Sequence, residues 1–144
     1  MMEADALARA CADVMWRDDR ASPGLGMRLE AVAAGRARLS LTVTEAMVNG
    51  HGICHGGFIF TLADSAFAFA CNSHGLHALA QHCAISYIRP AHRGETLVAE
   101  AQERHHGARS GIYDVRVTGG DGSVVAEFRG HSRTTGEKFQ LHEA

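Results

Sequence analysis

The chain has 144 residues, 46% of them hydrophobic and 21% charged, which suits one globular domain spanning 1–144 and excludes a disordered chain or two ordinary domains with a linker. Lys plus Arg number 14 against 16 Asp plus Glu, a formal net charge of -2, so no positive surplus is available for a phosphate backbone and no nucleic-acid partner is expected. The first residues, MMEADALARACADVMW, carry acids early and no basic flank ahead of an apolar run, so no secretory signal is read there and a cytoplasmic location is expected.

From about residue 3 to 17, Leu7, Ala10, Cys11, Val14 and Met15 fall near the spacing of an amphipathic helix. Ser22, Pro23, Gly24 and Gly26 interrupt it. Between Met27 and Val43, Ala37, Leu39, Leu41 and Val43 alternate with Arg36, Arg38, Ser40 and Thr42, predicting a hairpin with Gly35 near its turn. Thr44 to Gly57, TEAMVNGHGICHGG, holds four glycines and no sustained period, the pattern of a loop that carries function if it is ordered.

The run Phe58 to Cys71, FIFTLADSAFAFAC, is the most apolar part of the chain and stops at Asn72, Ser73, His74 and Gly75, predicting a buried central helix over about residues 57–73. It is shorter than the roughly 20 apolar residues that span a bilayer and has a carboxylate in its middle, so no membrane partner is expected. Four strand-like segments follow, AQHCAISYIRP, ETLVAEAQERHH, SGIYDVRVTGG and SVVAEFRGHSRTT, with Asp121-Gly122 as a hairpin turn between the last two. The fold class is therefore α+β: a long, mostly antiparallel sheet of five or six strands wrapped around one hydrophobic helix. One helix covers only one face and leaves strand edges open, so a homo-oligomer is expected.

Four cysteines, Cys11, Cys54, Cys71 and Cys83, show no repeated C-x-x-C spacing and read as reduced thiols. Asp64 is the only Asp, Glu, Lys or Arg between His55 and His77. Its ionised form loses several kcal/mol of hydration in an apolar setting unless paired, so its place on this helix needs a reason. It either lies on an exposed stripe or caps a neighbour, or it is an acid kept for chemistry. The loop ahead favours the second. Gly56 and Gly57 bring free N–H groups to the positive end of the helix dipole, a setting suited to a developing oxyanion. At roughly 1.5 Å of rise per residue Asp64 lies some 12 Å further along the helix, so an antiparallel partner helix across a twofold axis is the simpler way to unite them. Such a site holds a carbonyl on backbone donors while a carboxylate attacks it or activates water, which is acyl transfer or hydrolysis.

Asn49-x-x-Gly52-x-x-His55-Gly56-Gly57 followed by Leu62-Ala63-Asp64, within the run HGICHGGFIFTLADSAFAFACNSHG, resembles the signature of hotdog-fold acyl-CoA thioesterases, in particular the phenylacetate-pathway (PaaI-type) branch. SYIRPAHRGETLVAEA and EFRGHSRTTGE are similar to strand endings of that branch in the same order. The resemblance implies a hotdog fold, dimers sharing their active sites and pairing into tetramers, and an acyl-CoA substrate such as phenylacetyl-CoA or hydroxyphenylacetyl-CoA. It makes Asp64 the nucleophile or general base, Gly56 the N–H that polarises the thioester carbonyl, Asn49 the residue positioning substrate or water, and His55 a loop or carbonyl contact. Gly57 and Ser65 stand beside them on the substrate side, although the Ser65 hydroxyl has the alternative of bonding a preceding helix carbonyl.

Coenzyme A phosphates need cations at the site mouth, for which Arg89, Arg93, Arg109 and Arg133 are the candidates, and Phe58, Phe60, Phe67 and Phe69 are available to line an acyl pocket or fill the core. No metal or other cofactor is expected. A catalytic Cys54-His55 pair or a zinc site there is a competing reading that the spacing does not compel. Hydration of an enoyl-CoA on the same fold, and a non-catalytic acyl-CoA binding module, are the other two.

Overall fold

The computed structural model describes residues 2–141. Its elements run α1 (Ala4–Asp18), a one-turn helix α2 (Ala21–Gly24), β1 (Arg28–Ala33), β2 (Arg36–Thr42), a 3-10 turn (Glu45–Met47), α3 (Gly56–Cys71), β3 (Leu76–Tyr87), β4 (Thr96–His106), β5 (Ser110–Thr118) and β6 (Val124–Lys138). Glu3 caps α1 by accepting from the N–H groups of Asp5 and Ala6, satisfying donors that helix geometry leaves unpaired. The buried stripe of α1 is Ala8, Cys11 and Ala12, continued by Met15 and Trp16. Cys11 and Met15 of the expected stripe belong to it, whereas Leu7, Ala10 and Val14 are half-buried; Trp16 leans on Phe69 of α3 at a ring separation of 6.1 Å.

All six strands form one antiparallel sheet in the order β1-β2-β4-β5-β6-β3. Both expected hairpins are present. Gly35, at φ +71, makes the first turn, and at the second the Asp121 carboxylate accepts from the Ser123 N–H and hydroxyl while Gly122 takes φ +81, a conformation that glycine adopts without the steric penalty of a Cβ. β3 does not pair with β4, its neighbour in sequence. It crosses to β6, from Leu76↔Lys138 to Tyr87↔Ala126, and so becomes an edge of the sheet. Leu79 and Tyr87 on this edge, and Ile88 just beyond it, are 65%, 49% and 58% exposed.

The sheet closes around α3. Leu39 and Leu41 of β2, Leu97 and Ala99 of β4, Val115 and Val117 of β5, and Phe128 of β6 meet Leu62, Ala63, Ala66 and Phe67 of the helix in one continuous core. Phe67 explains a glycine in mid-strand: a Cβ on Gly130 of β6 would stand 2.8 Å from the Phe67 ring, so only a bare backbone lets the sheet come this near. Phe67→Ala should therefore leave a cavity and cost about 3–5 kcal/mol, read as a lower urea midpoint at unchanged m-value. The outward face carries ion pairs such as Arg38–Glu100, Arg104–Asp114 and Arg116–Glu127, each exposed and worth about 1 kcal/mol or less.

Candidate active site

The segment before α3 is an ordered loop. Val48 and Cys54 bridge across it, the Asn49 side-chain oxygen accepts from the His51 N–H at 2.9 Å and the Ile53 N–H at 3.4 Å, and the Asn49 backbone exchanges hydrogen bonds with Ile53 and Gly52. The Asn49 carboxamide thus braces the loop through its oxygen, and its NH2 takes no part in that turn. His55 is the N-cap of α3: its Nδ1 accepts the Gly57 N–H at 2.9 Å, an assignment that puts the proton of a neutral ring on Nε2. The Phe58 N–H bonds the His55 carbonyl.

With Gly57 and Phe58 paired, the Gly56 N–H has no hydrogen-bond partner among the described residues. It lies at the positive end of a 16-residue helix, where an oxygen developing negative charge is favoured. Tyr87, which sequence reasoning missed, donates its hydroxyl to the Gly56 carbonyl at 2.8 Å. A Cβ on Gly56 would sit 2.9 Å from the Tyr87 ring carbon Cζ, so the glycine also makes room for the end of β3. Nothing along the chain links residues so distant in sequence; only the β3–β6 pairing brings Tyr87 to the helix N-terminus.

Asp64 is half-buried, two turns down α3. Burial pushes its carboxyl above the usual aspartate range, and no charge or hydrogen bond among the described residues acts against that. Its neighbourhood is identified by the thiols it influences. Burial first, and then the charge of Asp64, raise Cys71, pushed up to about 12, and Cys83 of β3. The acid therefore lies on the side of α3 near Cys83 of the edge strand β3. Phe60, one turn earlier on the same side of the helix, is half-buried and packs edge-on against Phe128 at 5.4 Å. Within one chain Gly56 and Asp64 remain about 12 Å apart along the helix axis, so one chain does not bring the two together.

The other predicted residues divide. The Ser65 hydroxyl meets Ser22 of α2 at 2.8 Å rather than a helix carbonyl. Arg89 is spent on the protein itself: its guanidinium holds Glu95, Ser123, the Pro90 carbonyl and Asp121, tying the end of β3 to the β5–β6 turn. Arg93 faces Glu45 at 3.8 Å. Arg109 and Arg133 are exposed, and Arg133 pairs with Ser110 and Leu79 across the sheet, at the end remote from Gly56. Phe67 and Phe69 are core residues at 1% exposure, whereas Phe58 and Phe60 are only partly buried. The Cys54 thiol is buried and pushed up, opposite to an activated nucleophile, and the Nδ1 of His55 that would orient it is bonded to Gly57.

Comparison with known proteins gives the family. The profile of the thioesterase superfamily matches residues 51–126. The acyl-coenzyme A thioesterase PaaI of Escherichia coli K12 is 45% identical over 125 residues, covering 87% of this chain and 89% of that protein. The solved structure of the E. coli PaaI protein from the phenylacetic acid degradation operon superposes with a TM-score of 0.93 at 42% identity, over 94% of this chain and 99% of the other. A protein of Streptococcus mutans UA159, solved bound to acetyl CoA, has a TM-score of 0.76 at 26% identity, over 78% and 91%. The chain belongs to the thioesterase superfamily, as a thioester hydrolase of the hotdog fold.

Proposed function

We propose that the protein hydrolyses an arylacetyl-CoA, such as phenylacetyl-CoA or hydroxyphenylacetyl-CoA, to the free acid and coenzyme A, in a site shared by two subunits. The observation that carries this reading is the unpaired Gly56 N–H at the α3 N-terminus, with an unpartnered acid two turns along the same helix, near Cys83 of the edge strand β3. The E. coli relative named as an acyl-coenzyme A thioesterase and the S. mutans structure bound to acetyl CoA support the substrate class.

Two β3 edges that pair antiparallel continue the sheet and reverse one chain against the other. The partner subunit's Asp64 then comes beside this chain's Gly56. The same reversal carries the partner's Arg133 and Arg109 toward this chain's Tyr87, where they meet the coenzyme A phosphates; one chain alone holds them at the wrong end of the sheet. The thioester oxygen rests on the Gly56 N–H. Asp64 either adds to the carbonyl carbon, giving an anhydride that water opens, or takes a proton from water as hydroxide adds. Both routes expel the coenzyme A thiolate and end at the free acid. Asn49 offers its NH2 to substrate or water, His55 secures Gly57, and Ser65 supports the helix from the α2 side. Phe58 and Phe60 take the aryl group. Tetramers would bring the outer faces of two dimers together. No metal or other cofactor enters the reaction. Four free cysteines fit a reducing cytoplasm, and among the described residues no helix is long and apolar enough to cross a membrane.

The test is thiol release from phenylacetyl-, hydroxyphenylacetyl-, benzoyl- and straight-chain acyl-CoA, compared by kcat/KM, with crotonyl-CoA hydration run beside it. Arylacetyl substrates are expected to lead the straight chains by about tenfold or more, since a hydrophobic pocket discriminates by about 1–3 kcal/mol per group. Crotonyl-CoA hydration without thiol release would replace hydrolysis by enoyl-CoA chemistry, and tight binding with no turnover of any thioester would leave a binding module.

A further inference from the structure

We propose that His74, Glu103 and His106 form a binding site for one divalent transition-metal ion of the zinc type, which pins the turn after α3 to the end of β4. One donor atom from each of the three lies within 4.8 Å of the others. His74 Nε2 stands 2.6 Å from Glu103 Oε1, and His106 Nδ1 stands 4.0 Å from the same oxygen. The two imidazoles stack at a centroid distance of 3.8 Å and an interplanar angle of 19°, so both rings present a nitrogen toward one carboxylate. His74 comes from the α3–β3 turn, and Glu103 and His106 from the last residues of β4.

Two imidazoles and a carboxylate are the nitrogen and oxygen donors that zinc accepts at about 2.0–2.2 Å, and they leave a fourth tetrahedral position for water. Ligand atoms at those bond lengths stand about 3.4 Å apart. The observed 2.6 and 4.0 Å separations bracket that value, and the two ring nitrogens lie within 4.8 Å of each other, so turning the imidazoles out of their stack lets all three donors face one ion. Glu103 is already fixed from behind: the Tyr113 hydroxyl donates to its Oε1 at 2.7 Å, and its backbone N–H donates to the Gly35 carbonyl at 2.9 Å. A Cβ on Gly35 would come 2.9 Å from Glu103 Oε2, so that glycine makes room for the carboxylate. Outer partners of this kind orient a ligand and raise metal affinity by about 10- to 100-fold. Among the described residues the ion-pair partners of Glu103 are the two histidines alone, so no Arg or Lys competes with a cation there. The site is separated from Gly56 of its own chain by the length of α3, about 24 Å, and the thioester chemistry does not pass through it.

Protein freed of metal with a chelator and then titrated calorimetrically with Zn2+ should bind one equivalent per chain, and its melting temperature should rise with Zn2+ concentration. Co2+ in place of Zn2+ should give visible d–d absorption without a thiolate charge-transfer band, which separates this site from Cys11, Cys54, Cys71 and Cys83. His106→Ala, whose exposed ring touches only the other two members of the proposed site, and His74→Ala should each weaken binding by at least tenfold while His106→Ala keeps wild-type thioester hydrolysis. The proposal is overturned if wild type takes up less than one equivalent, if both variants bind as wild type does, or if the Co2+ spectrum shows sulfur ligation.

Discussion

Asp64→Ala is expected to lower kcat for thioester hydrolysis by at least about two orders of magnitude, the scale on which positioned acids and bases contribute, with little change in the far-ultraviolet circular dichroism. Asp64→Asn should do the same, because the amide keeps the shape and removes the charge and the basicity. The same substitution should leave the fold more stable at neutral pH. Burial raises the carboxyl in the folded chain above its unfolded value, so between those two values the native state holds more protons than the unfolded one and stability falls as pH rises through that window. Above it the ionised acid is a standing cost, which Asn does not carry. Below the ordinary aspartate range both chains are neutral there and the advantage of Asp64→Asn disappears. Thermal melts at a series of pH values read this directly, and the acid limb of kcat/KM should lie above the ordinary aspartate range for the same reason. An Asp64→Ala protein with wild-type turnover would remove Asp64 from the chemistry.

Gly56→Pro should cost about 10²- to 10³-fold in kcat, the range for deleting one oxyanion donor, while leaving α3 formed. Proline is favoured at the first position of a helix, where its missing N–H and fixed φ do no harm, and the extended backbone of His55, at φ -60 and ψ 132, is the conformation that a following proline demands. Gly56→Ala is the control, since it crowds Tyr87 equally and keeps the N–H. The decisive measurement mixes the two inactive proteins. In a shared site, an Asp64→Ala subunit paired with a Gly56→Pro subunit has one site that joins an intact Asp64 to an intact Gly56. Random reassortment of equal amounts makes half the dimers mixed, with one sound site in two, so activity should return to about one quarter of wild type. A mixture that stays inactive although mass spectrometry shows mixed dimers would place both groups of each site in one chain.

Most of the secondary structure was legible along the chain because its signals are local. The apolar run over α3, the alternation in β2 and the Asp121-Gly122 turn each express one periodicity or one backbone preference within a few residues. The motif around Gly56 and Asp64 was legible because an acid amid apolar helix residues, and paired glycines ahead of them, stand out without any partner in view. Arg89 was misleading for a related reason: a cation at a strand end reads alike whether it meets a phosphate or, as here, Glu95 and Asp121. Ser65 likewise gave no hint that Ser22 would be its partner.

The amino-acid order by itself determined the α+β class, the central helix, its acid and its glycine-led N-terminus, since propensity, patterning and the helix dipole act over short distances. Only the tertiary structure decided that β3 pairs with β6 and becomes an open edge, that Tyr87 lies against Gly56, that Gly130 admits Phe67, and that His74, Glu103 and His106 converge. Those contacts join residues far apart in sequence, and which of them form depends on how all six strands close around one helix, a packing problem with no local signature.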